Sequence, residues 1–384
     1  MIDRRSMMLA GGMAAGALIV APRMALAAAA TDRRFVFIIQ RGAADGLHIA
    51  APVGDPAFAS ARGVLAEDVA SAPKLDGMFR LHPAMSGLHA LYTGGEALVA
   101  HAVASPYRDR SHFDGQNILE TGGVAAYARK DGWMNRLLTL LPDGQRQAIA
   151  IAATVPMALR GPAEVASYAP SQLPDASDDL LARVAMLYAN DAQLHALWEQ
   201  ATATRAITGD MAADNGRNAA ATGALAAKLL AADNGARIAM IETGGWDTHA
   251  QQRGRMAAQL RGLDAMIGAL KDGLGAHWAN TLVLVATEFG RTVALNGTQG
   301  TDHGTASAAL LAGGAVNGGR VIADWPGLGA PALLDGRDLR PTMALDALIA
   351  GAVSAHFAID PARSLATMFP DSRGVRPVEG LIRA

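Results

Sequence analysis

Six apolar runs of strand length recur along the chain, and most of them are hydrophobic at nearly every position. Strict alternation would indicate a strand with one wet face, whereas a continuous apolar run indicates a strand buried on both faces. Stretches with helical periodicity separate these runs, so strands and helices alternate. This order predicts an α/β fold in which helices cover both faces of a mostly parallel central sheet, a three-layer α/β/α sandwich. The predicted strands are Arg34–Gln40, Ala97–Val103, Gln147–Ala153, Arg237–Glu242, Thr281–Ala286 and Ser307–Ala312, and the predicted helices are Pro83–Tyr92, Trp133–Leu141, Asp178–Gln200, Arg217–Ala231, His249–Lys271 and Thr342–His356.

Residues 1–30 are organised like an export signal. Arg4 and Arg5 are adjacent, and the apolar stretch Met7–Val20 that follows is rich in Ala and Gly and short for a bilayer span. Small residues then offer cleavage after Ala27 or after Ala30, a choice that the sequence leaves open. Paired arginines before a weakly hydrophobic segment predict the twin-arginine route, with its translocase as a partner during export and a periplasmic or secreted mature protein. The alternative is an uncleaved N-terminal anchor.

Composition limits what the mature part can be. No later stretch is long and apolar enough for a membrane helix, and residues 31–384 are predicted to form one domain. The alternative is a core carrying a helical cap or insertion at about 162–232. The sequence contains no cysteine, which excludes disulfides, thiolate metal sites and cysteine nucleophiles. A formal net charge of −2 gives no electrostatic reason to expect nucleic acid as a partner.

Polar side chains capable of binding a metal follow the predicted strands. In open α/β sheets ligands bind beyond the carboxyl ends of the strands, so residues at those positions are candidates. Carboxylates and imidazoles suit zinc, manganese or a similar divalent ion, and arginines can hold a tetrahedral oxyanion with two hydrogen bonds. The candidates are Asp45 after the first strand, Glu242, Asp247 and His249 after the fourth, Glu288 and Arg291 after the fifth, Asp302 and His303 further on, and Ser111 with His112 at the start of a helical pattern near Phe113.

Several of these residues have a purely structural alternative. Asp45 lies in a glycine-flanked turn that it could simply cap. Asp247 could be the N-cap of the helix that begins near His249, a position that favours Asp. Glu288 would be costly after a buried strand unless it binds a metal or pairs with a cation, and Arg291 is the obvious cation.

Taken together, the motifs resemble a known bacterial family. Arg41-Gly-Ala-Ala-Asp-Gly-Leu, Ser111-His-Phe-Asp, Gly244-Gly-Trp-Asp-Thr-His, Thr287-Glu-Phe-Gly-Arg-Thr and Asp302-His-Gly are similar to motifs of the family known as domain of unknown function 1501. The resemblance spans nearly the whole mature chain. That family resembles a distant branch of the alkaline phosphatase and sulfatase superfamily, whose members hold one or two metal ions and cleave phosphate or sulfate esters. The resemblance therefore implies an alkaline phosphatase-like fold.

The resemblance also implies roles for the candidates. Asp247, His249 and His303 would hold one divalent ion (zinc, manganese or calcium), with Asp302 beside them. Asp45 and Glu288 would hold or orient a second ion, and Glu242 would lie in the outer shell or on a third. One histidine of the superfamily pattern is replaced by Phe289. The catalytic residues would be Ser111 as nucleophile, with Ser105 and Asp109 as weaker candidates, His112 as ligand or base, and Arg291 or Arg110 as the oxyanion clamp.

These roles describe an exported metal-dependent hydrolase that acts on a small oxyanion ester. Two other classes remain open from the residues alone. A periplasmic binding protein could use the same pocket to hold a metal or an oxyanion without turnover. A structural partner of another exported protein would need no chemistry at these positions.

Overall fold

The computed structural model describes residues 32–142, 147–169, 178–189, 191, 194–195, 198, 202, 218–233 and 235–383. The predicted leader at 1–30 lies outside these residues. Much of the stretch at 162–232, the position of the helical cap in the alternative to a single domain, also lies outside the described residues. Among the helices that the structure does describe, none combines the length and the apolarity that crossing a bilayer requires.

Strands and helices alternate as the apolar runs indicate. The strands are β1 (Arg34–Gln40), β2 (Ala50–Ala51), β3 (Arg80–Leu81), β4 (Ala97–Ala104), β5 (Ala148–Ile151), β6 (Ala166–Ser167), β7 (Ile238–Thr243), β8 (Thr281–Ala286), β9 (Ser307–Ala312), β10 (Arg320–Ile322) and β11 (Met343–Ala344). The α-helices are α1 (Gly46–Ile49), α2 (Phe58–Arg62), α3 (Val64–Val69), α4 (Ser86–Thr93), α5 (His112–Thr121), α6 (Trp133–Leu140), α7 (Asp178–Tyr188), α8 (Ala219–Ala231), α9 (Gln252–Leu274), α10 (Leu345–Phe357) and α11 (Pro361–Met368).

Within the described residues the main sheet has nine strands, in the order β10-β4-β9-β8-β1-β7-β5-β6, with β11 paired to β4. β1 lies between β7 and β8 and is parallel to both. The carboxyl ends of these three strands therefore lie side by side at one edge of the sheet, and the loops that follow them begin close together.

β9 is the exception to the parallel arrangement, since it runs antiparallel to both β4 and β8. A parallel connection needs a crossover that returns the chain to the opposite edge, usually a helix. Residues 287–306 contain no α-helix; Arg291 and His303 instead form an antiparallel bridge within the loop. The chain therefore re-enters the sheet from the edge at which β8 ended, and β9 points the other way.

Each face of the sheet has its own hydrophobic core. Along β1, Val36 and Ile38 contribute to a cluster with residues of α4, α8 and α9, whereas Phe35, Phe37 and Ile39 contribute to a cluster with residues of α6 and α10. Alternate side chains of a strand point to opposite faces, and every residue of β1 is buried. The three-layer sandwich with a mostly parallel sheet is thereby confirmed.

Sequence and structure agree on element type but not on every boundary. β1, β8 and β9 have the predicted bounds, and the long helix α9 begins three residues later than predicted, at Gln252. The short strands β2, β3, β6, β10 and β11 and the helices α2, α3 and α11 were not predicted. The strands have two or three residues and α2 and α3 have five and six, which is too short for hydrophobic periodicity to stand out.

Buried neutral histidines should make the fold sensitive to acid. Burial lowers the pKa of His101 to about 4 and that of His356 to about 3. At a pH between 6.5 and these lowered pKa values, the two histidines are protonated in the unfolded chain but neutral in the folded chain. The free energy of unfolding should therefore fall as the pH drops, by ~1.4 kcal/mol per pH unit for each histidine. Urea unfolding between pH 7.5 and pH 5 measures this slope.

His356→Gln keeps a donor for the carbonyl oxygen of Arg34, which His356 Nε2 contacts at 2.9 Å, and should flatten the slope. His195→Gln changes an exposed residue and should leave the slope as in the wild type. A slope equal in all three proteins would contradict the prediction.

Candidate metal centre

Loops that follow β1, β7 and β8 meet beyond the carboxyl edge of the sheet, and close backbone approach brings them together. Gly42 has a φ of +116°, and a Cβ there would lie 2.6 Å from the backbone nitrogen of Asp247. Only glycine adopts this conformation and leaves that space. The turn after β1 therefore packs directly against Asp247, one of the residues that the sequence predicts as metal ligands.

Four side chains converge at this edge. One ligand atom each from His112, Asp247 and His303 lies within 4.8 Å of the others. His249 joins them, because its Nε2 is 2.9 Å from Asp247 Oδ1 and 2.9 Å from His303 Nε2. Asp247 Oδ1 is 3.3 Å from His303 Nε2, and Asp247 Oδ2 is 3.4 Å from His112 Nε2. We call these four residues the donor cluster.

In two of these histidines Nδ1, the ring nitrogen that faces away from the cluster, donates a hydrogen bond to an oxygen that can only accept one. His303 Nδ1 lies 2.8 Å from the carbonyl oxygen of Arg110, and His249 Nδ1 lies 3.2 Å from Asp302 Oδ1. The pKa of Asp302 is lowered, chiefly by a hydrogen bond from Asn296, so this carboxylate is ionised. Each Nδ1 therefore carries a proton, and in the neutral imidazole Nε2 is then an acceptor that faces the donor cluster.

His112 is held in the same way by a deeply buried carboxylate. Its Nδ1 lies 2.9 Å from Glu288 Oε1, and Glu288 is fully buried. Burial alone would raise the pKa of Glu288, but hydrogen bonds from His112, Gly42 and Gln116 outweigh it and lower the pKa. The bond to Glu288 in turn raises the pKa of His112. The buried Nε2 of His112 has no hydrogen-bond partner.

These donors fit a divalent cation. A divalent cation shared by His249 Nε2 and His303 Nε2 would stabilise their approach to 2.9 Å, because each neutral imidazole can offer it a lone pair. Zinc with ligand distances of about 2.0–2.1 Å in tetrahedral geometry separates its ligand atoms by about 3.3 Å, close to the distances in the cluster. A carboxylate or carbonyl behind each ligating histidine is the usual arrangement in metal sites.

Glu288 and Asp302 contact histidines of the donor cluster, and their role as metal ligands stays a prediction. Both were expected to be metal ligands, but the oxygens through which they contact the cluster accept hydrogen bonds from His112 and His249. Through these contacts the two carboxylates orient the imidazoles of His112 and His249. His112, predicted as a ligand or a base, lies in the donor cluster.

Arg291, the predicted oxyanion clamp, is engaged by other groups of this chain. Its guanidinium is buried, donates to Asp247 Oδ1 at 2.5 Å and also binds the backbone oxygen and hydroxyl of Thr301. It is not the partner of Glu288 either. It fixes the carboxylate of Asp247, whose pKa burial would raise but the bond from Arg291 lowers.

The alternative role of Asp247 as a helix cap is not realised. α9 begins at Gln252, and its N-cap Gln251 makes no side-chain capping bond. The carboxylate of Asp247 is instead directed at the donor cluster. Arg110, the second candidate clamp, is also engaged, because its guanidinium binds Asp338 at 2.7 and 3.0 Å.

Asp45 is buried apart from the donor cluster. Its carboxylate caps α1 by accepting from the backbone nitrogen of Leu47 and accepts further bonds from Arg62 and Gln252. Burial would raise the pKa of Asp45, but the charge of Arg62 outweighs it and lowers the pKa. The metal role of Asp45 stays a prediction, and the contacts of its oxygens with Leu47, Arg62 and Gln252 match the turn-capping alternative.

Glu242 also lies apart from the donors, although it belongs to the support of the site. Its carboxylate is 2.6 Å from Arg41, which binds Glu120 at 2.8 Å and the side-chain oxygen of Gln116 at 3.0 Å. Because Arg41 occupies that oxygen, the amide nitrogen of Gln116 faces Glu288, 3.2 Å away. Of the predicted roles for Glu242, the outer shell is the one that the contacts match.

The two candidate serine nucleophiles, Ser105 and Ser111, differ in the hydrogen bonds of their hydroxyl groups. Ser105 is buried, donates to the carbonyl oxygen of Glu288 and accepts from the backbone of Tyr107. Ser111 is the N-cap residue of α5, and its hydroxyl makes no capping bond. It lies between Arg110, whose carbonyl holds His303, and His112, so it borders the donor cluster. Asp109 is exposed.

Sequence reasoning did not find Gln116, Arg41 or Arg62. Gln116 had a usable signal, since it follows His112 by four residues on a predicted helix and must share its face. Arg62 had none, because it lies on the unpredicted helix α2 and reaches Asp45 only through the tertiary fold.

Loss of a donor should abolish metal binding. Elemental analysis of the purified wild type should find one or two equivalents of zinc, manganese or calcium. Asp247→Ala and His303→Ala should each lose the ion held by the donor cluster, because each variant keeps only three of the four donors. Asp324→Ala and His195→Ala, at exposed positions, are the matched controls. Full metal content in Asp247→Ala would overturn the assignment.

Gln116 should act on the metal through Glu288 and His112. Gln116→Leu removes a donor to the buried carboxylate and should weaken metal affinity about 10–100-fold, the usual effect of losing a supporting hydrogen bond. Competition with a chelator dye measures this affinity. Gln116→Glu keeps the size but places a like charge against Glu288, so it should weaken binding at least as much; unchanged affinity in that variant would reduce the role of Gln116 to packing.

Several solved structures are similar to this chain. The C-terminal periplasmic domain of EcEptC from Escherichia coli in complex with Zn is 10% identical, with 77% of this chain and 76% of that chain covered and a TM-score of 0.35. Ps i-CgsB in complex with k-i-k-neocarrahexaose is 10% identical, with 88% and 76% covered and a TM-score of 0.42. The alkaline phosphatase from the Antarctic bacterium TAB5 is 12% identical, with 73% and 90% covered and a TM-score of 0.34.

Sequence comparison gives the family. No curated protein matches the chain. The family described as "Protein of unknown function (DUF1501)" matches residues 95–351, which include His112 and all the other residues of the donor cluster. The motifs that suggested this family lie at the carboxyl edge of the sheet, where the donors converge. The chain belongs to the DUF1501 family.

Proposed function

We propose that this protein is a metal-dependent hydrolase of phosphate or sulfate esters. The observation that carries the proposal is the convergence of three imidazole Nε2 atoms on the carboxylate of Asp247, with each Nδ1 held by an acceptor. Imidazole and carboxylate donors favour zinc or a similar ion over magnesium. The ester class comes from the resemblance of the motifs to the alkaline phosphatase and sulfatase superfamily.

The donor cluster would hold the ion, and the surrounding residues would keep the donors in place. Glu288 and Asp302 fix the tautomers of His112 and His249, and Arg291 fixes Asp247. A bound divalent cation would polarise the ester and stabilise the negative charge that develops on its oxygens.

Ser111 is the proposed nucleophile. It begins a ten-residue helix whose first backbone N–H groups have no acceptor within the helix, and its own hydroxyl does not cap them. Those N–H groups and the helix dipole favour an anion beside Ser111. Its Oγ would attack the phosphorus or sulfur atom, and the hydroxyl proton would pass to the departing oxygen so that the alcohol leaves. Water would then hydrolyse the ester formed on Ser111, releasing phosphate or sulfate and restoring the hydroxyl.

The leader pattern supports action outside the cytoplasm. Residues 1–30 carry the paired arginines and the small-residue cleavage sites described above. We propose export by the twin-arginine route to the periplasm or beyond, with the translocase as a transient partner.

A second candidate function is binding of a metal or an oxyanion without turnover. Binding without turnover is favoured because the guanidinium groups of Arg291 and Arg110, the two predicted oxyanion clamps, both already bind carboxylates of this chain. A hydrolase at this site would rely on its cation and on the N-terminus of α5 for charge stabilisation.

Turnover by the metal-loaded protein distinguishes the two functions. Steady-state assays with aryl phosphate, sulfate and phosphonate monoesters should find at least one substrate, and Ser111→Ala should lower kcat at least about a hundredfold with metal content unchanged. Ser86→Ala, an exposed serine in the first turn of α4, is the control. Tight binding of phosphate without turnover of any ester, unaffected by Ser111→Ala, would favour the binding protein.

A further inference from the structure

Asp338 is a fully buried carboxylate that lies outside all the sequence motifs. It ends a tight turn over residues 334–338, in which Leu334 and Asp338 exchange backbone hydrogen bonds. Among the described residues, three donate to its side chain: Arg110 to Oδ2 at 2.7 and 3.0 Å, Arg337 to Oδ1 at 3.0 Å and the hydroxyl of Thr305 to Oδ2 at 2.8 Å. The carboxylate therefore holds two arginines that come from different segments of the chain.

Both arginines contact His303, one of the four residues of the donor cluster. The carbonyl oxygen of Arg110 accepts a hydrogen bond from His303 Nδ1 at 2.8 Å. The guanidinium of Arg337 donates to the backbone oxygen of His303 at 2.6 Å. The imidazole and the backbone of His303 are thus each held by a residue that Asp338 binds, and Nε2 is left to face the other donors.

Arg110 makes its contact with His303 in a backbone conformation that arginine rarely adopts. Its φ is +59°, in the left-handed region where a Cβ is sterically disfavoured. A residue stays in this region only where its surroundings fix it. The two hydrogen bonds from the guanidinium of Arg110 to the buried carboxylate of Asp338 provide that constraint. Because another backbone conformation at Arg110 would redirect its carbonyl oxygen, the pairing with Asp338 and the orientation of the His303 imidazole are linked.

We propose that Asp338 is a positioning residue for His303 and thereby for the metal that the donor cluster binds. It acts through two residues: it holds Arg110 in the left-handed conformation that directs a carbonyl oxygen at His303 Nδ1, and it holds Arg337 against the backbone of His303. This inference rests on the metal binding in the proposed function. It adds a residue that contacts neither the donors nor a substrate, and whose loss should nevertheless weaken metal binding.

Titration with cobalt(II) tests this role, because the visible absorption of the bound ion reports its ligands and the titration gives its affinity. Asp338→Asn keeps the size of the side chain but turns an amide N–H₂ group toward an arginine. It should weaken cobalt binding about 10–100-fold and change the cobalt spectrum. Asp55→Asn changes another buried carboxylate, one bound by Ala57, Trp325 and Leu328, and should keep the wild-type affinity and spectrum. Wild-type affinity in Asp338→Asn would overturn the proposal.

Two substitutions of Arg110 test the part played by its backbone. Arg110→Ala and Arg110→Gly both remove the guanidinium, and in both variants Asp338 keeps Arg337 and Thr305 as partners. Only glycine adopts a positive φ at little cost. Arg110→Gly should therefore bind cobalt about fivefold or more tightly than Arg110→Ala, since the left-handed conformation is penalised in alanine alone. Equal cobalt affinities of these two variants would also overturn the proposal.

Turnover measured beside metal binding separates this inference from the proposed function. Weakened cobalt binding by Asp338→Asn, without turnover of any ester by the metal-loaded wild type, would support the positioning role and overturn the hydrolase. Turnover by the wild type, together with unchanged cobalt affinity in Asp338→Asn, would overturn the positioning role and leave the hydrolase intact. A wild type that binds neither zinc nor cobalt would overturn both.

Discussion

The negative charge of Glu288 is the constraint on which the arrangement of the site depends. This carboxylate follows β8 directly and is fully buried, a position that is very unfavourable for an unpaired charge. Donors from two separate segments satisfy it, namely Gly42 after β1 and His112 and Gln116 on α5. Stabilising the charge therefore joins the turn after β1 to the start of α5, and it is this contact that points the free nitrogen of His112 at Asp247.

A second buried carboxylate, that of Asp45, holds together segments on the other side of the site. Asp45 binds Arg62, and Arg62 also donates to the backbone oxygens of Thr292 and Val293 in the loop after β8. Removing one partner of such a buried pair leaves an uncompensated charge, which typically costs about 3–5 kcal/mol. The pair thereby fixes the segment that presents Arg291 to Asp247. Both acidic residues were predicted near a metal, and both act on its surroundings.

The sequence predicts the layers of the fold and the location of the site, since both follow from local patterns. The apolar runs of β1, β8 and β9 identify strands, and the rule that ligands bind beyond parallel strands selects the residues that follow them. The division between ligands and their supports could not be predicted in this way. Asp247 and Glu288 each follow a strand within a few residues, and only the tertiary contacts show that one faces the histidines and the other is buried behind them. The engagement of Arg291 depends equally on contacts between distant segments.

The antiparallel direction of β9 accompanies the folding-back of the segment that carries part of the site. The chain after β8 must present Glu288, Arg291 and His303 within a short distance of one another, and the bridge between Arg291 and His303 achieves this by folding the segment back on itself. A helical crossover at this point would carry His303 away from the carboxyl edge. Since His303 and Asp247 come from different loops, a cation between them would also link the β8–β9 segment to the loop after β7. A ligand that binds only the folded state stabilises it, so metal binding and the integrity of this edge of the sheet are thermodynamically coupled.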